Sequence, residues 1–302
     1  MIAKRLKVLL FALLWLLPGM IAAQQGAAHI VIVKSSDNGY FNQSIETLIS
    51  HVDEAAKFEV VLAENLGSDL ANAGDDRFFV AFGESAVKTV AALGAKINSL
   101  NAYITEEQYQ QLDIGNQATV LLDQPLQRYL AFCKLLLGVE SVGVITTGKI
   151  DIDRQQSDQL ERLQIELNQY QLDPLNKLLP VLRRLMQHND VLLMLPRQAI
   201  YNRDTLKGVL LTSYRSRRPA ISYSPAHVKA GALASIYSSP VDIGRHLAML
   251  LNQRLRNPAH RLPAVQFARY YSIVSNRRVA RALGISLPGE SELRARLDAL
   301  ER

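Results

Sequence analysis

Two stretches carry side chains whose types and spacing suggest chemistry. Gly83-Glu84-Ser85-Ala86-Val87 follows a predicted strand and opens a predicted helix. A nucleophilic serine on such an elbow needs glycine two residues after the serine, and Val87 stands there instead. Ser85 is therefore read as a helix cap, or as a ligand contact through its hydroxyl and nearby amides. A secreted serine hydrolase using Ser85 is the remote alternative. Gly143-Val-Ile-Thr-Thr-Gly148-Lys149-Ile150 approaches the phosphate-binding P-loop pattern. That pattern ends on a hydroxyl that binds Mg²⁺, and Ile150 has none; Gly143 also falls inside a predicted strand. No nucleotide site is expected, although Thr147 and the loop amides remain available to a polar ligand.

The six histidines, His29, His51, His188, His227, His246 and His260, show no metal-ligand spacing and are read as surface or capping residues. Cys133 is the only cysteine, which rules out an intrachain disulfide and any zinc site that takes two cysteines from one chain. It lies on the apolar face of a predicted helix and reads as core. No catalytic set, metal or cofactor is expected.

Positioning these residues falls to alternating short apolar runs and helix-length amphipathic stretches. Segments 29–34, 58–62, 78–82 and 119–122 read as strands of a first half; 141–146, 191–195 and 220–223 read as strands of a second. Apolar runs without alternation imply burial on both faces, hence parallel sheet covered by helices. Helices are expected over 40–52, 126–137, 151–167, 203–215 and 242–256. Two successive βαβ sets predict an α/β fold of two doubly wound parallel-sheet lobes, with ligand at the carboxyl ends of the strands.

The composition, 48% apolar and 21% charged over 302 residues, is globular and excludes a disordered or fibrous chain. Charge is uneven: residues 24–202 carry 14 basic and 22 acidic side chains, whereas 203–302 carry 17 basic and 6 acidic. This asymmetry is read as a solvated surface that meets a partner, not as a nucleic-acid surface. Val279-Ala-Arg-Ala-Leu-Gly-Ile-Ser286 has the look of the front of a helix-turn-helix, but Pro288-Gly289 would break its second helix. Tyr214-Arg-Ser-Arg-Arg218 is a basic run that complements a helix C-terminus.

Residues 1–23 have the pattern of a secretory signal: Lys4, Arg5 and Lys7, then ten apolar residues at 8–17, then Ala22-Ala23 as a cleavage site. The apolar run is short of the ~20 residues a spanning helix needs. The chain is therefore expected in the periplasm, cleaved near Ala23 and without stable membrane insertion afterwards. Cleavage also removes Trp15, the only tryptophan.

The mature chain resembles the periplasmic substrate-binding proteins of ABC transporters, in particular the branch that binds aromatic amino acids. The residues that carry the likeness are Leu122-Asp-Gln-Pro-Leu-Gln-Arg-Tyr129, Ser141-Val-Gly-Val-Ile145, Leu195-Pro196 with Tyr201-Asn202, Pro219-Ala-Ile-Ser-Tyr-Ser224, Val228-Lys-Ala-Gly-Ala-Leu-Ala234, Asp242-Ile-Gly-Arg245, and Asn276 with Ala280 and Leu283-Gly284. The resemblance implies a type I periplasmic-binding fold: two lobes, a hinge and a central cleft. Lobe one would hold 24–123 plus 239–258, and lobe two 124–238 plus 259–302. It implies cleft contacts from Ser36, Tyr40, Gly83, Glu84 and Ser85 in lobe one, and from Thr147, Arg197, Tyr201, Asn202 and Ser224 in lobe two. Gly231 and Ala232 would lie nearby and Gln124 at the hinge. Arg197 stands where the family often has Asp, so an acid able to pair with a ligand's amine is replaced by a cation able to pair with a carboxylate. The implied partners are a small ligand, and an ABC permease with its ATPase; a membrane sensor kinase or receptor is the alternative reader of closure.

Overall fold

The computed structural model describes residues 27–67, 77–94, 97–112, 114–115, 117–173 and 177–301. The expected export segment lies outside the described residues. Among those described, no helix is long and apolar enough to cross a membrane.

Two six-stranded sheets form the two lobes. The first holds β1 (Ala28–Lys34), β2 (Ala56–Leu62), β3 (Arg77–Phe82), β4 (Ser99–Ile104), β5 (Ala118–Leu121) and β11 (Val265–Phe267), in the order β11-β5-β4-β3-β1-β2, all parallel. The second holds β6 (Ser141–Thr146), β7 (Glu166–Gln171), β8 (Val191–Leu193), β9 (Ala220–Ser222), β10 (Ala234–Tyr237) and β12 (Ser272–Ser275), in the order β12-β10-β9-β8-β6-β7. Here only β12 runs antiparallel, against β10. Both sheets share one winding order, that of an open doubly wound sheet whose crevice lies beyond the strand carboxyl ends.

Burial follows the period of the strand. Ile30 and Ile32 pack with Ile45 and Leu48 of α1 (Gly39–Ser50) and with Ile243, Leu247 and Leu251 of α9 (Pro240–Arg256). Val31 and Val33, pointing the other way, pack with Ala86, Val87 and Val90 of α2 (Glu84–Ala91). All four β1 side chains are fully buried, which explains the unbroken apolar run. Each contributes roughly 1.5–3 kcal/mol by leaving water. Gly143 sits within β6 because a Cβ there would lie 2.5 Å from Leu185 Cγ. The glycine that completed the P-loop-like pattern is thus a packing residue.

Several expectations are corrected. The helix expected over 151–167 ends at Leu163; Gln164 takes a left-handed turn (φ 50°), and Glu166–Gln171 becomes an edge strand. An edge strand needs no continuous apolar run, so its polar sequence concealed it. Ser99–Ile104 is an interior strand despite Ser99 and Asn101, whose polarity breaks the apolar pattern. Residues 265–267 fall in the expected second lobe but pair with Thr119–Leu121 in the first sheet, where they cover the open edge of β5. His227 and His246 are buried, not at the surface.

The lobes are joined by three crossing segments: 122–125 between β5 and α4 (Leu126–Leu137), 238–239 between β10 and α9, and 268–271 between β11 and β12. Side chains tie them together. Gln124 Nε2 donates to Ser238 Oγ (2.9 Å), and Ser238 Oγ donates to the Tyr270 carbonyl (2.7 Å). Arg128 Nη1 donates to Gln124 Oε1 (2.7 Å) and to the Ala268 carbonyl (3.0 Å). Asp242 Oδ2 accepts from Ser239 Oγ and from Ser272 Oγ, both at 2.7 Å.

The C-terminal helices do not stand free to read DNA. Leu293 and Leu297 of α11 (Glu290–Leu300) are buried in the core of lobe two with Leu130, Cys133 and Leu136. Burial pushes the Cys133 thiol up to about 12, as expected of a packing cysteine.

Candidate binding cleft

A cavity of about 370 Å³ lies where the carboxyl ends of the two sheets and the crossing segments meet. Lobe one contributes Asn38, Tyr40, Phe41, Tyr103 and Thr105; lobe two contributes Tyr129, Pro196, Tyr223 and Ser224; the crossing segments contribute Leu122, Asp123 and Ser238.

The lobe-one wall is an aromatic cluster. Phe41 comes from the first turn of α1, which Asn38 caps by accepting the Phe41 N–H (2.9 Å). Tyr103 packs edge-on against Phe41, with ring centroids 4.9 Å apart, and against Phe82 at 5.9 Å. It reaches that place through a left-handed backbone (φ 59°) at a register shift between β4 and β5. For a tyrosine this conformation costs about 1–2 kcal/mol, and such strain collects at functional sites. Its hydroxyl bonds Ser44 Oγ (2.6 Å), and burial raises its pKa to about 12. Tyr40 stands at the mouth, 69% exposed.

Asp123 is the acid of the cleft, and its exposure is only 5%. Its Oδ2 accepts the Glu106 N–H (2.8 Å) at the start of α3 (Glu106–Gln111). Burial raises its pKa to about 6; the Glu106 N–H and the charge of Arg197 pull the other way. No side chain forms a hydrogen bond or ion pair with it among the described residues. Arg197 is half-buried, and its Nη1 donates to the Pro196 carbonyl (3.2 Å). It does not line the cavity, although its charge is felt by Asp123.

Of the residues singled out in the sequence, Tyr40 and Ser224 line this cavity and Gln124 lies in the adjoining crossing segment. The others are not among its lining residues. Gly83 takes φ 87°, and a Cβ there would lie 2.9 Å from Ser35 Oγ and 3.0 Å from Phe41 Cζ. Its place is thus set by close packing beside Ser35, whose hydroxyl accepts the Ala86 N–H (2.8 Å). Glu84 pairs with Lys88 (2.5 Å), which holds its carboxyl below the usual range, and accepts from Gln108 Nε2 (2.9 Å). Ser85 is exposed, and its hydroxyl is hydrogen-bonded to no histidine among the described residues. Ser36 accepts from Asn38 Nδ2 (3.0 Å), and Thr147 is exposed. Tyr201 and Ala232 are buried in the lobe-two core, Asn202 accepts the N–H groups of Asp204 and Thr205, and Gly231 ends α8 (Pro225–Ala230) at φ 128°.

The residue that sequence reasoning passed over is Asp123. It lies in the Leu122–Tyr129 stretch, directly before the residue read as the hinge. A lone carboxylate between a leucine and a glutamine carries no spacing signal. Only the fold brings it against Tyr129 and Tyr223, whose hydroxyl pKa values are raised by burial and then by its charge.

No family model and no curated protein sequence matches the chain. Solved structures do. An ABC domain in complex with L-Trp from Streptococcus pneumonia aligns at 18% identity and TM-score 0.52, over 88% of this chain and 98% of that one. A ligand-free, open substrate binding protein with adhesive properties from Clostridium difficile aligns at 14% identity and TM-score 0.65, over 87% and 97%. A periplasmic ribose ABC transporter structure from Conexibacter woesei aligns at 13% identity and TM-score 0.53, over 89% and 97%. With two doubly wound lobes, three crossing segments and a cavity between them, the chain has the type I periplasmic-binding fold, which it shares with these substrate-binding proteins.

Proposed function

We propose that the chain is an exported solute-binding protein that captures a small ligand between its lobes and presents the closed form to an ABC permease. The carrying observation is the cavity of about 370 Å³ whose walls come from both lobes and from the segments that join them. A ligand there contacts both walls only when they approach, so it favours the closed arrangement by its differential affinity. Tyr40 and Ser224 face the ligand from opposite lobes, and Gln124 belongs to the joint that bends. The signal-like segment 1–23 directs the chain to the periplasm and is removed near Ala23. No covalent step is required of any residue.

A sensory module that reports closure to a membrane kinase or receptor is the second reading. The exposed Arg277, Arg278 and Arg281 favour a docking surface, and none of them forms an ion pair among the described residues. Neighbouring genes distinguish the two: permease and ATPase genes support transport, a kinase gene supports sensing. The experiment for either is a thermal-shift screen of the chain lacking 1–23 against amines, amino acids, carboxylates, sugars and nucleosides. A ligand raises the melting temperature by mass action. No shift with any class would overturn both.

A further inference from the structure

We propose that the cleft takes an organic cation, a primary amine or methylated ammonium on a small aromatic or apolar body, with Asp123 as its counter-ion and the surrounding aromatic rings as its walls. The proposal rests on the solute-binding reading and names its ligand class.

The charge of the lining is one-sided. Among the described residues that line the cavity there is one carboxylate, Asp123, and no lysine, arginine or histidine. A ligand carboxylate would meet that acid without a cation in the wall. Arg197 lies outside the lining with a guanidinium nitrogen on a backbone carbonyl. A neutral ligand would leave Asp123 as it is, buried and without an ionic partner. Burying an unpaired carboxylate is costly, and the protein meets that cost by raising its pKa. A cation in the cavity supplies the missing partner for the ionised acid.

The walls fit the same guest. Tyr40, Phe41, Tyr103, Tyr129, Tyr223 and Tyr237 all line the cavity. Ring faces attract ammonium groups, more strongly when water is excluded, and methylated ammonium is bound in this way by aromatic cages. Ring edges and faces also hold a flat apolar body. The volume suits a guest at the small end of ligand size.

The test compares four compounds with one body and different charge: 2-phenylethylamine, L-phenylalanine, 3-phenylpropionate and 2-phenylethanol. Each is titrated calorimetrically into the chain lacking 1–23, beside the broader screen. The amine should bind at least about tenfold tighter than the alcohol, with the amino acid weaker than the amine and the propionate silent. Asp123→Asn should erase the amine's advantage over the alcohol. Tyr40→Ala, at a site too exposed to matter for folding, should weaken the amine by a few-fold at least. Tighter binding of phenylalanine or propionate, or of a sugar or nucleoside in the screen, would overturn the cation class while leaving solute binding intact. An Asp123→Asn variant that keeps the amine's full advantage would overturn it too. Silence across every class would instead remove the solute-binding reading, and this proposal with it.

Discussion

Gln124 Nε2 donates to Ser238 Oγ at 2.9 Å, joining the first crossing segment to the second by a single side-chain bond. The glutamine's other atom, Oε1, is held by Arg128, which also reaches Glu301 through Nε (2.5 Å) and Nη2 (2.8 Å) and lies over the Tyr271 ring at 4.7 Å. One buried guanidinium thus fastens two crossing segments and the C-terminal helix. Two parallel bonds to one carboxylate give it direction as well as strength.

Arg128→Ala should therefore destabilise the chain by about 2–4 kcal/mol, because it strips partners from Gln124, the Ala268 carbonyl and Glu301 together. Glu301→Gln should cost less, about 1 kcal/mol, since Glu301 is about one-third exposed and the other Arg128 bonds persist. Urea denaturation of both variants checks the order. Equal losses would place the value of Arg128 in the ion pair alone.

Asp123 predicts a pH signature. Its folded pKa of about 6 lies above the ordinary 3.8, so the folded state holds the proton more tightly than the unfolded chain. Its contribution is most favourable below about pH 4 and is lost as pH rises through 6, leaving a deficit of order 2–3 kcal/mol at pH 7.5. Asp123→Asn should be more stable than the parent by about that amount at pH 7.5 and equal to it near pH 4. Denaturation midpoints measured at both values decide; a parent that exceeds the variant at pH 7.5 contradicts the assignment.

His246 works in the opposite direction. It is 1% exposed, and burial, followed by the charge of Arg269, lowers its pKa to about 4. Its Nδ1 accepts the Arg269 N–H (3.2 Å), which anchors the third crossing segment to α9. A depressed folded pKa means that stability is present above about 6.5 and is lost as pH falls towards 4. His246→Asn, which keeps an acceptor, should flatten that loss. The variant and parent should converge at acid pH after differing in slope, as read by melting temperature across the range.

Gly244 marks the contact that seats α9 on α1. A Cβ there would lie 2.5 Å from the Ser44 backbone oxygen and 2.7 Å from Thr47 Cβ. Gly244→Ala should thus cost several kcal/mol through displaced backbone, despite alanine's better helix propensity. An unchanged melting temperature would mean that the two helices slide freely past each other.

Much of this architecture was legible in the residues. The buried strands β1, β3 and β6 declared themselves as unbroken apolar runs because both of their faces are covered. The polar edge strand at 166–171 and the short strands β10, β11 and β12 did not, since pairing, not hydrophobic pattern, makes them strands. The cleft was legible only in small part. Tyr40 and Ser224 came from the resemblance and line the cavity. Arg197 was expected to face the ligand, and Asp123 was not noticed. A buried acid acquires its meaning from neighbours distant in sequence, here Glu106, Tyr223 and the rings of lobe one, and no local spacing announces them.

If the two lobes close on a guest, the molecule becomes more compact. Small-angle X-ray scattering of the chain lacking 1–23, with and without a saturating concentration of the tightest amine, measures this directly. The radius of gyration should fall on saturation and recover after dialysis. A radius unmoved by a ligand that calorimetry shows to be bound would contradict closure.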